Sequence, residues 1–177
     1  MTTTIEVNVM GFDPKWQNGQ GKEYYTGQFI FQQVSPSGPV LMAEDGSINL
    51  ELLGIDGEVE IIFHWLSSKV GIEGQLYSAS FSPIPGANFW VLAGNGKPSK
   101  NNPPTSGGQF EVELIAPDKL KVTDKNDDKG HYTYCLAVQV GIDNNGNDEP
   151  DWFVADPKIT NRGNDRVIRL AQYQSAD

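Results

Sequence analysis

Residues 124–161 decide the fold of this chain, and they read DKNDDKGHYTYCLAVQVGIDNNGNDEPDWFVADPKITN. Two β-prone runs, 132–140 and 152–159, flank a segment rich in Asn, Asp and Gly, which is the pattern of a β-hairpin with a polar turn. The second predicted strand carries the Asp156-Pro157 bond. Residues 128–134 also have the spacing of a tyrosine corner, a feature that marks one strand of immunoglobulin-like sandwiches.

The rest of the chain repeats the alternation of apolar and polar side chains that is typical of strands. Predicted strands occupy residues 5–9, 24–34, 47–53, 59–66, 75–84, 88–92, 109–115 and 120–122. No segment keeps a helical period over three turns. We therefore expect an all-β fold, an immunoglobulin-like Greek-key β-sandwich with elaborated loops. Residues 1–177 suit a single domain, in which residues 160–177 form an extra strand, a short helix or a tail.

Turn-forming residues mark the predicted connections. Asp13-Pro14 and the Asn and Gly residues after it predict a loop over residues 12–22. The Asp-Gly pair at 56–57 predicts a hairpin turn between the strands on either side of it. Trp65 lies on the strand after that turn, so it is expected in the core, as in immunoglobulin-like domains.

The charge balance excludes two classes of partner. The net charge is −10, and no basic stripe is present that could bind nucleic acid or an anionic membrane surface. The longest apolar run, 59–66, is too short to span a bilayer. The first residues show neither a basic region nor an apolar run, so no secretory signal is visible and a cytoplasmic location is expected. The single Cys135 cannot form an internal disulfide and is predicted to be a small buried residue.

Calcium is the one metal that the sequence leaves open. His64 and His131 are too few for a zinc site of standard spacing. Oxygen-bearing side chains at positions 1, 3 and 5 of a loop are, however, typical of calcium loops. The loop residues concerned are Asp143, Asn145, Asn147 and Asp148. An EF-hand needs Gly at position 6 and Glu at position 12, where this chain has Asp and Val, so a non-EF calcium loop and a solvated turn remain the alternatives.

Other signatures of a ligand or catalytic site are weak. The sequence has no nucleophile elbow, phosphate-binding loop or dinucleotide fingerprint. Trp16 and Trp90 flank Gly-rich loops and could form a stacking platform for a sugar, although tryptophans in a sandwich also serve as core and loop anchors. No cofactor other than calcium is expected.

The Asp156-Pro157 bond is of the most labile kind in ordinary proteins. An Asp carboxyl can attack its own main-chain carbonyl through a five-membered ring, and the tether supplies part of the barrier through proximity. The prolyl nitrogen leaves readily once it is protonated. Asp148, Glu149 and Asp151 are close in sequence and could supply that proton. Ordinary strand punctuation is the alternative, because proline removes one donor from a ladder and favours a strand end.

The run from Tyr132 through Glu149-Pro150 to Asp156-Pro157 resembles the DP-EP family of small bacterial β-sandwich proteins. The resemblance covers about the last 45 residues and implies a self-processing aspartic peptidase, with Asp156 as the essential carboxylate and Asp156-Pro157 as the scissile bond. This chain departs from the family pattern because it is longer in its middle and continues for 20 residues after Pro157. A fainter resemblance, to inclusion-body proteins of the PixA type, implies a structural or storage role without catalysis.

Two functions therefore compete. The first is a protein that cleaves its own chain at Asp156-Pro157 and could cleave other peptides in the same way, using Asp156. The second is a non-enzymatic binding or structural sandwich that meets a protein, a glycan or calcium through its edges, its loop tryptophans or its acidic loop. A homo-oligomer is compatible with both.

Overall fold

The computed structural model describes residues 1–19, 22–51, 53–128, 130–142, 146, 149–155 and 167–169. Within them the chain is all-β, as predicted, with a single 3-10 turn at Pro85–Asn88. The strands are β1 (Thr3–Gly19), β2 (Lys22–Ser35), β3 (Ile48–Asn49), β4 (Val59–Trp65), β5 (Lys69–Ile72), β6 (Gln75–Ser80), β7 (Phe89–Ala93), β8 (Phe110–Ala116), β9 (Lys119–Asp124), β10 (Tyr132–Val140), β11 (Asp151–Val154) and β12 (Val167–Arg169).

The strand β10 belongs to two layers. In the first layer the order is β8-β9-β4-β1-β2-β11, and the C-terminal half of β10 completes it by pairing with β11 and β6. In the second layer the N-terminal half of β10 pairs with β7 on one edge and β12 on the other, and β3 lies beyond β12. The pairs β1–β4, β2–β11 and β10–β12 are parallel. The sheet is therefore mixed, and the immunoglobulin-like Greek-key order stays a prediction.

Apolar faces of the two layers form the main core. Along β4 every second side chain is buried, which is the pattern of a strand with one face on the core. The ring of Phe63 in β4 lies 6.3 Å from that of Tyr134 in β10, and Tyr134 stacks at 5.0 Å on Phe89 of β7. Trp65 is 2% exposed, which confirms its predicted place in the core. Packing of the two layers gives the molecule its sandwich-like character.

Two predicted connections are wrong. The loop expected over 12–22 is strand for most of its length, because β1 stays paired with β2 as far as Gly19 opposite Lys22. The Asp-Pro pair is absorbed by a register shift between Phe12 and Lys15, where Asp13 takes a φ of 51°. Asp tolerates this left-handed conformation better than most residues, and a bulge accommodates a proline that cannot donate to the ladder.

The hairpin predicted around residues 56–57 does not form between the two strands it was expected to join. β4 pairs in parallel with β1 and antiparallel with β9, whereas β3 pairs with β12. The chain does change direction before β4, with turn residues at 53–54 and a bend at Gly57, which has a φ of 83°. The strand partners were predicted wrongly, because they lie far from residues 56–57 in sequence and no local pattern encodes them.

Candidate functional site

The Asp156-Pro157 bond lies just outside the described residues, and the chain before it is firmly held. The predicted hairpin of β10 and β11 is present, with Ala137 opposite Val154 in antiparallel register. The backbone N–H of Ala155 donates to the carbonyl of Leu136 at 3.0 Å. Val154 and Ala155 are at most 3% exposed. Asp156 therefore follows directly from a buried, hydrogen-bonded strand end.

After the Asp-Pro bond the next described residues are those of β12. Ile168 lies opposite Tyr132 of β10 in parallel register and opposite Ile48 of β3 in antiparallel register. β11 pairs with β10 on the edge away from β6, and β12 pairs with it on the edge away from β7. The backbone groups of His131 and Gly141 bond toward β7 and β6, whereas those of Leu136 and Ile142 bond toward β11. Alternate residues of a strand direct these groups to opposite edges, so β6 and β7 share one edge of β10, and β11 and β12 share the other. The bond thus belongs to a connection between two strands on the same edge of β10.

The acidic neighbours of the bond in sequence lie at the far end of β11. Asp151 is opposite Val140 and is 3% exposed, and its N–H donates to Ile142 O at 2.8 Å. A strand rises about 3.3 Å per residue, so Asp151 is about 13 Å along the strand from Ala155, and Glu149 precedes it. The structure therefore does not bring either carboxylate next to the strand end from which Asp156 departs.

The predicted calcium loop also falls largely outside the description. Asp143, Asn145, Asn147 and Asp148 are not among the described residues, so the calcium prediction stays a prediction. In the part of the chain that the structure describes, no group of three or more His, Cys, Asp or Glu side chains is placed to hold a metal ion.

The two tryptophans proposed for sugar stacking do not form a common platform. Trp90 is 1% exposed, its ring lies 5.9 Å from Tyr24 and 6.1 Å from Trp152, and its indole N–H donates to Ala87 O at 2.9 Å. This corrects the expectation for Trp90, which is a core anchor of a small cluster behind β10. Trp16 is half-buried against the edge of Tyr25, at 5.0 Å. Neither ring face of Trp90 is open to a sugar.

The tyrosines near the start of β10 are joined differently from a tyrosine corner. The hydroxyl of Tyr132 donates to the carboxylate of Asp128. The hydroxyl of Tyr134 donates at 2.7 Å to the carbonyl of Gly46, far upstream in sequence. Burial raises the pKa of Tyr134 well above its usual value, and the charge of Asp45 acts in the same direction. Tyr134 is therefore a neutral donor that fixes the 40s loop to β10, a role that sequence reasoning missed.

Among the residues that the structure describes, the remaining reactive side chains form no pair of a nucleophile and a base. His64 Nε2 lies 3.1 Å from Glu6 Oε2 on the outer face of the first layer. Cys135 is fully buried, as predicted, with its Sγ 3.8 Å from Pro98 O. A cavity of about 220 Å³ lies between β7, β8 and the proline-rich loop and is lined by Val91, Pro103, Phe110 and Tyr132, among others. None of the residues predicted for a site lines it.

Comparison of the chain with family models, with curated proteins and with solved structures finds no match. Among the described residues, no helix has the length and apolar character needed to cross a membrane.

Proposed function

We propose that this protein processes its own chain, as a β-sandwich of the self-processing aspartic-peptidase kind, by cleaving the Asp156-Pro157 bond. The observation that carries the proposal is the anchoring of Ala155. Its N–H is bonded to Leu136 O and its side chain is buried, so the residue before the reacting one is fixed in position. Fixing one side of a reacting group lowers the entropic part of the barrier. The resemblance of the hairpin to the DP-EP family supports the same bond.

The reaction needs only the chain and water. The side-chain carboxylate of Asp156 attacks its own main-chain carbonyl carbon and closes a five-membered cyclic anhydride. The C–N bond to Pro157 breaks, and the prolyl nitrogen leaves with a proton as a secondary amine. Water then opens the anhydride, which leaves Asp156 with free α- and β-carboxyl groups. The sum is one peptide bond and one water converted into one carboxyl and one amine end.

Of the acidic residues considered as donors of a proton to the leaving nitrogen, the structure describes Asp151 and Glu149, and neither lies beside Ala155. Asp151 and Glu149 lie toward the other end of β11. We therefore propose that solvent supplies this proton, and that cleavage accelerates as the pH falls until the Asp156 carboxyl itself becomes protonated. Cleavage at Asp156-Pro157 is then slow near neutral pH, and it is faster in the folded chain, where Ala155 is held against β10, than in an unfolded chain.

The test is a time course of intact-protein mass across a range of pH. We expect the full chain to give way at mildly acidic pH to fragments 1–156 and 157–177, whose masses together exceed the parent by one water. Asp156→Asn and Asp156→Ala remove the nucleophile and abolish both fragments. Asp13→Asn is the matched control, because it alters the other Asp-Pro pair of the chain and leaves fragment 1–156 forming at the original rate.

A chain that stays whole for days at every pH would reject self-cleavage. That result would favour the second candidate, a non-enzymatic binding or structural protein. The observation in its favour is the outer face of the first layer, where Met10 and Ile30 are opposite one another and Phe12 and Ile30 are each 43% exposed. Exposed apolar side chains that adjoin one another are typical of a contact surface.

A further inference from the structure

The strand β12 is an internal strand of its layer. Its three residues pair in parallel with Tyr132 and Thr133 of β10 and antiparallel with Ile48 and Asn49 of β3. Both edges of β12 are therefore hydrogen-bonded to neighbours, unlike those of a strand at the rim of a sheet. A segment held on two edges forms main-chain bonds on both sides, which is how an added strand is bound when a peptide completes a sheet.

The strand β3 depends on β12 for its place in the second layer. In the part of the chain that the structure describes, β12 is the strand with which β3 pairs. Ile48 and the following Leu50 are at most 1% exposed and belong to the main core. Loss of β12 would leave the backbone of β3 without its ladder beside buried apolar side chains. Such unpaired buried groups are costly, so the fold favours an occupied slot between β10 and β3.

Charge also favours occupation of this slot by the segment after the Asp-Pro bond. Residues 157–177, here called the tail, contain four basic and two acidic residues, a net charge of +2. Residues 1–156 contain nine basic and 21 acidic residues, a net charge of −12. Opposite net charges attract across the distances between a strand and the body it docks on, and the attraction is screened by salt.

We propose that the tail stays docked as β12 after the chain is cut, so that the processed protein is a one-to-one complex of residues 1–156 and 157–177. The slot between β10 and β3 is then a strand-acceptor site whose occupant is the chain's own tail. This inference rests on the proposed self-cleavage, which is the reaction that would cut the chain in the cell. Processing in this protein changes covalent connectivity and creates two new chain ends, and it does not release a peptide.

The experiment cuts the chain without using the chemistry of Asp156. A recognition sequence for a specific protease is inserted after Lys158 of the full-length chain carrying Asp156→Asn, and the folded protein is cut with that protease. We expect denaturing mass spectrometry to show two chains, and native mass spectrometry and gel filtration at low salt to show one complex that contains both. A tail that elutes separately under native conditions would overturn the proposal.

A pair of charge-matched variants separates strand docking from simple attraction. Ile168→Asp puts a charge in the middle of β12, opposite Ile48, and is expected to weaken retention of the cut tail at least about tenfold. Gln174→Asp adds the same charge to the tail at a position that follows β12 in sequence, and it is expected to leave the complex intact. If both variants lost the cut tail equally, net charge alone would explain its retention, and the proposed strand-acceptor site would be overturned.

Stoichiometry tests the occupant. A complex of two bodies and two tails in place of one and one would make a second copy the donor of the strand and would overturn the intrachain assignment. Because the cut is made by an added protease in an Asp156→Asn chain, each of these outcomes is independent of whether the protein cleaves itself. Failure of self-cleavage would be seen in the pH time course alone.

Discussion

The tripeptide Asp-Pro-Lys occurs twice in this chain, at 13–15 and at 156–158, and the structure describes the first copy and the strand that precedes the second. Asp13-Pro14 lies inside β1, with Phe12 paired to Gln28 on one side and Lys15 to Thr26 on the other. The second copy follows Ala155, and the next described pairing after it is that of β12. The first Asp-Pro-Lys copy is therefore held by strand pairing on both sides. For the second copy, the described pairing next to the bond is the one that precedes it.

From this comparison we expect the lability of each Asp-Pro bond to depend on its surroundings. Attack by the Asp carboxyl requires the carbonyl carbon to become tetrahedral and the proline to move away. At Asp13 the bulge is packed against Gly27, where an added Cβ would overlap Phe12 O and would lie 3.0 Å from Asp13 O. A carbonyl held so closely has little freedom to change geometry. We expect the bond at 13–14 to survive conditions that cleave the one at 156–157.

One side chain connects the two regions. Phe153 in β11 is fully buried, and its ring packs directly on two glycines. A Cβ added to Gly11 would lie 2.6 Å from the nearest ring atom of Phe153, and one added to Gly27 would lie 3.0 Å from it. It also packs on Phe29 with ring centroids 4.6 Å apart. The same ring therefore supports the backbone beside the Asp13 bulge and the strand β11, which ends just before Ala155.

Removal of that ring is expected to have the largest effect. Phe153→Ala should lower the free energy of unfolding by about 3–5 kcal/mol, because it deletes a buried aromatic side chain and leaves a cavity between β11 and β2. Equilibrium unfolding in urea measures the change. Leu76→Ala is the matched control for loss of a large apolar side chain, since Leu76 is 74% exposed and should change stability by about 0.5 kcal/mol or less. Equal losses in the two variants would contradict the role given to Phe153.

A smaller effect is expected at the glycine beside the bulge. Gly27→Ala should cost about 1–3 kcal/mol, because the new methyl group would meet the backbone of Phe12 and the ring of Phe153, and backbone can move less easily than a side-chain tip. Urea unfolding again gives the change. Gly38→Ala adds the same methyl group where no atom lies within 4 Å and should be near neutral. A neutral Gly27→Ala would show that the bulge is not tightly packed.

The smallest expected effect compares the two Asp-Pro bonds directly. In the folded protein at mildly acidic pH, cleavage at 156–157 should exceed cleavage at 13–14 by at least about tenfold, the ratio that about 1.4 kcal/mol of barrier difference gives. In concentrated urea at the same pH the ratio should fall toward one, because both tripeptides are then equally free. Fragment masses over time measure both rates. A ratio unchanged by urea would make the preference a matter of local sequence.

The sequence predicted the class of the fold and its best-patterned strands. The β10–β11 hairpin, the alternation in β4 and the burial of Trp65 and Cys135 follow from patterns that span a few residues. Two further failures, besides the strand partners around residues 56–57, have local causes. Residues 12–22 were predicted to be a loop because a bulge and a loop share the same turn residues, and pairing with β2 decides between them. Trp90 was a candidate for exposure because a nearby Gly-rich loop does not reveal which way a side chain on the preceding strand points.

By itself the sequence determined an all-β chain, an acidic body with a more basic end, and the two identical Asp-Pro-Lys tripeptides on which the proposed cleavage chemistry depends. Only the tertiary structure decided that β4 lies beside β1, that β12 lies between β10 and β3, and that one Asp-Pro pair is clamped within a bulge. The reason is physical. Apolar periodicity and turn chemistry act over a few residues, whereas strand partners are chosen by burial and backbone hydrogen bonding between segments distant in sequence.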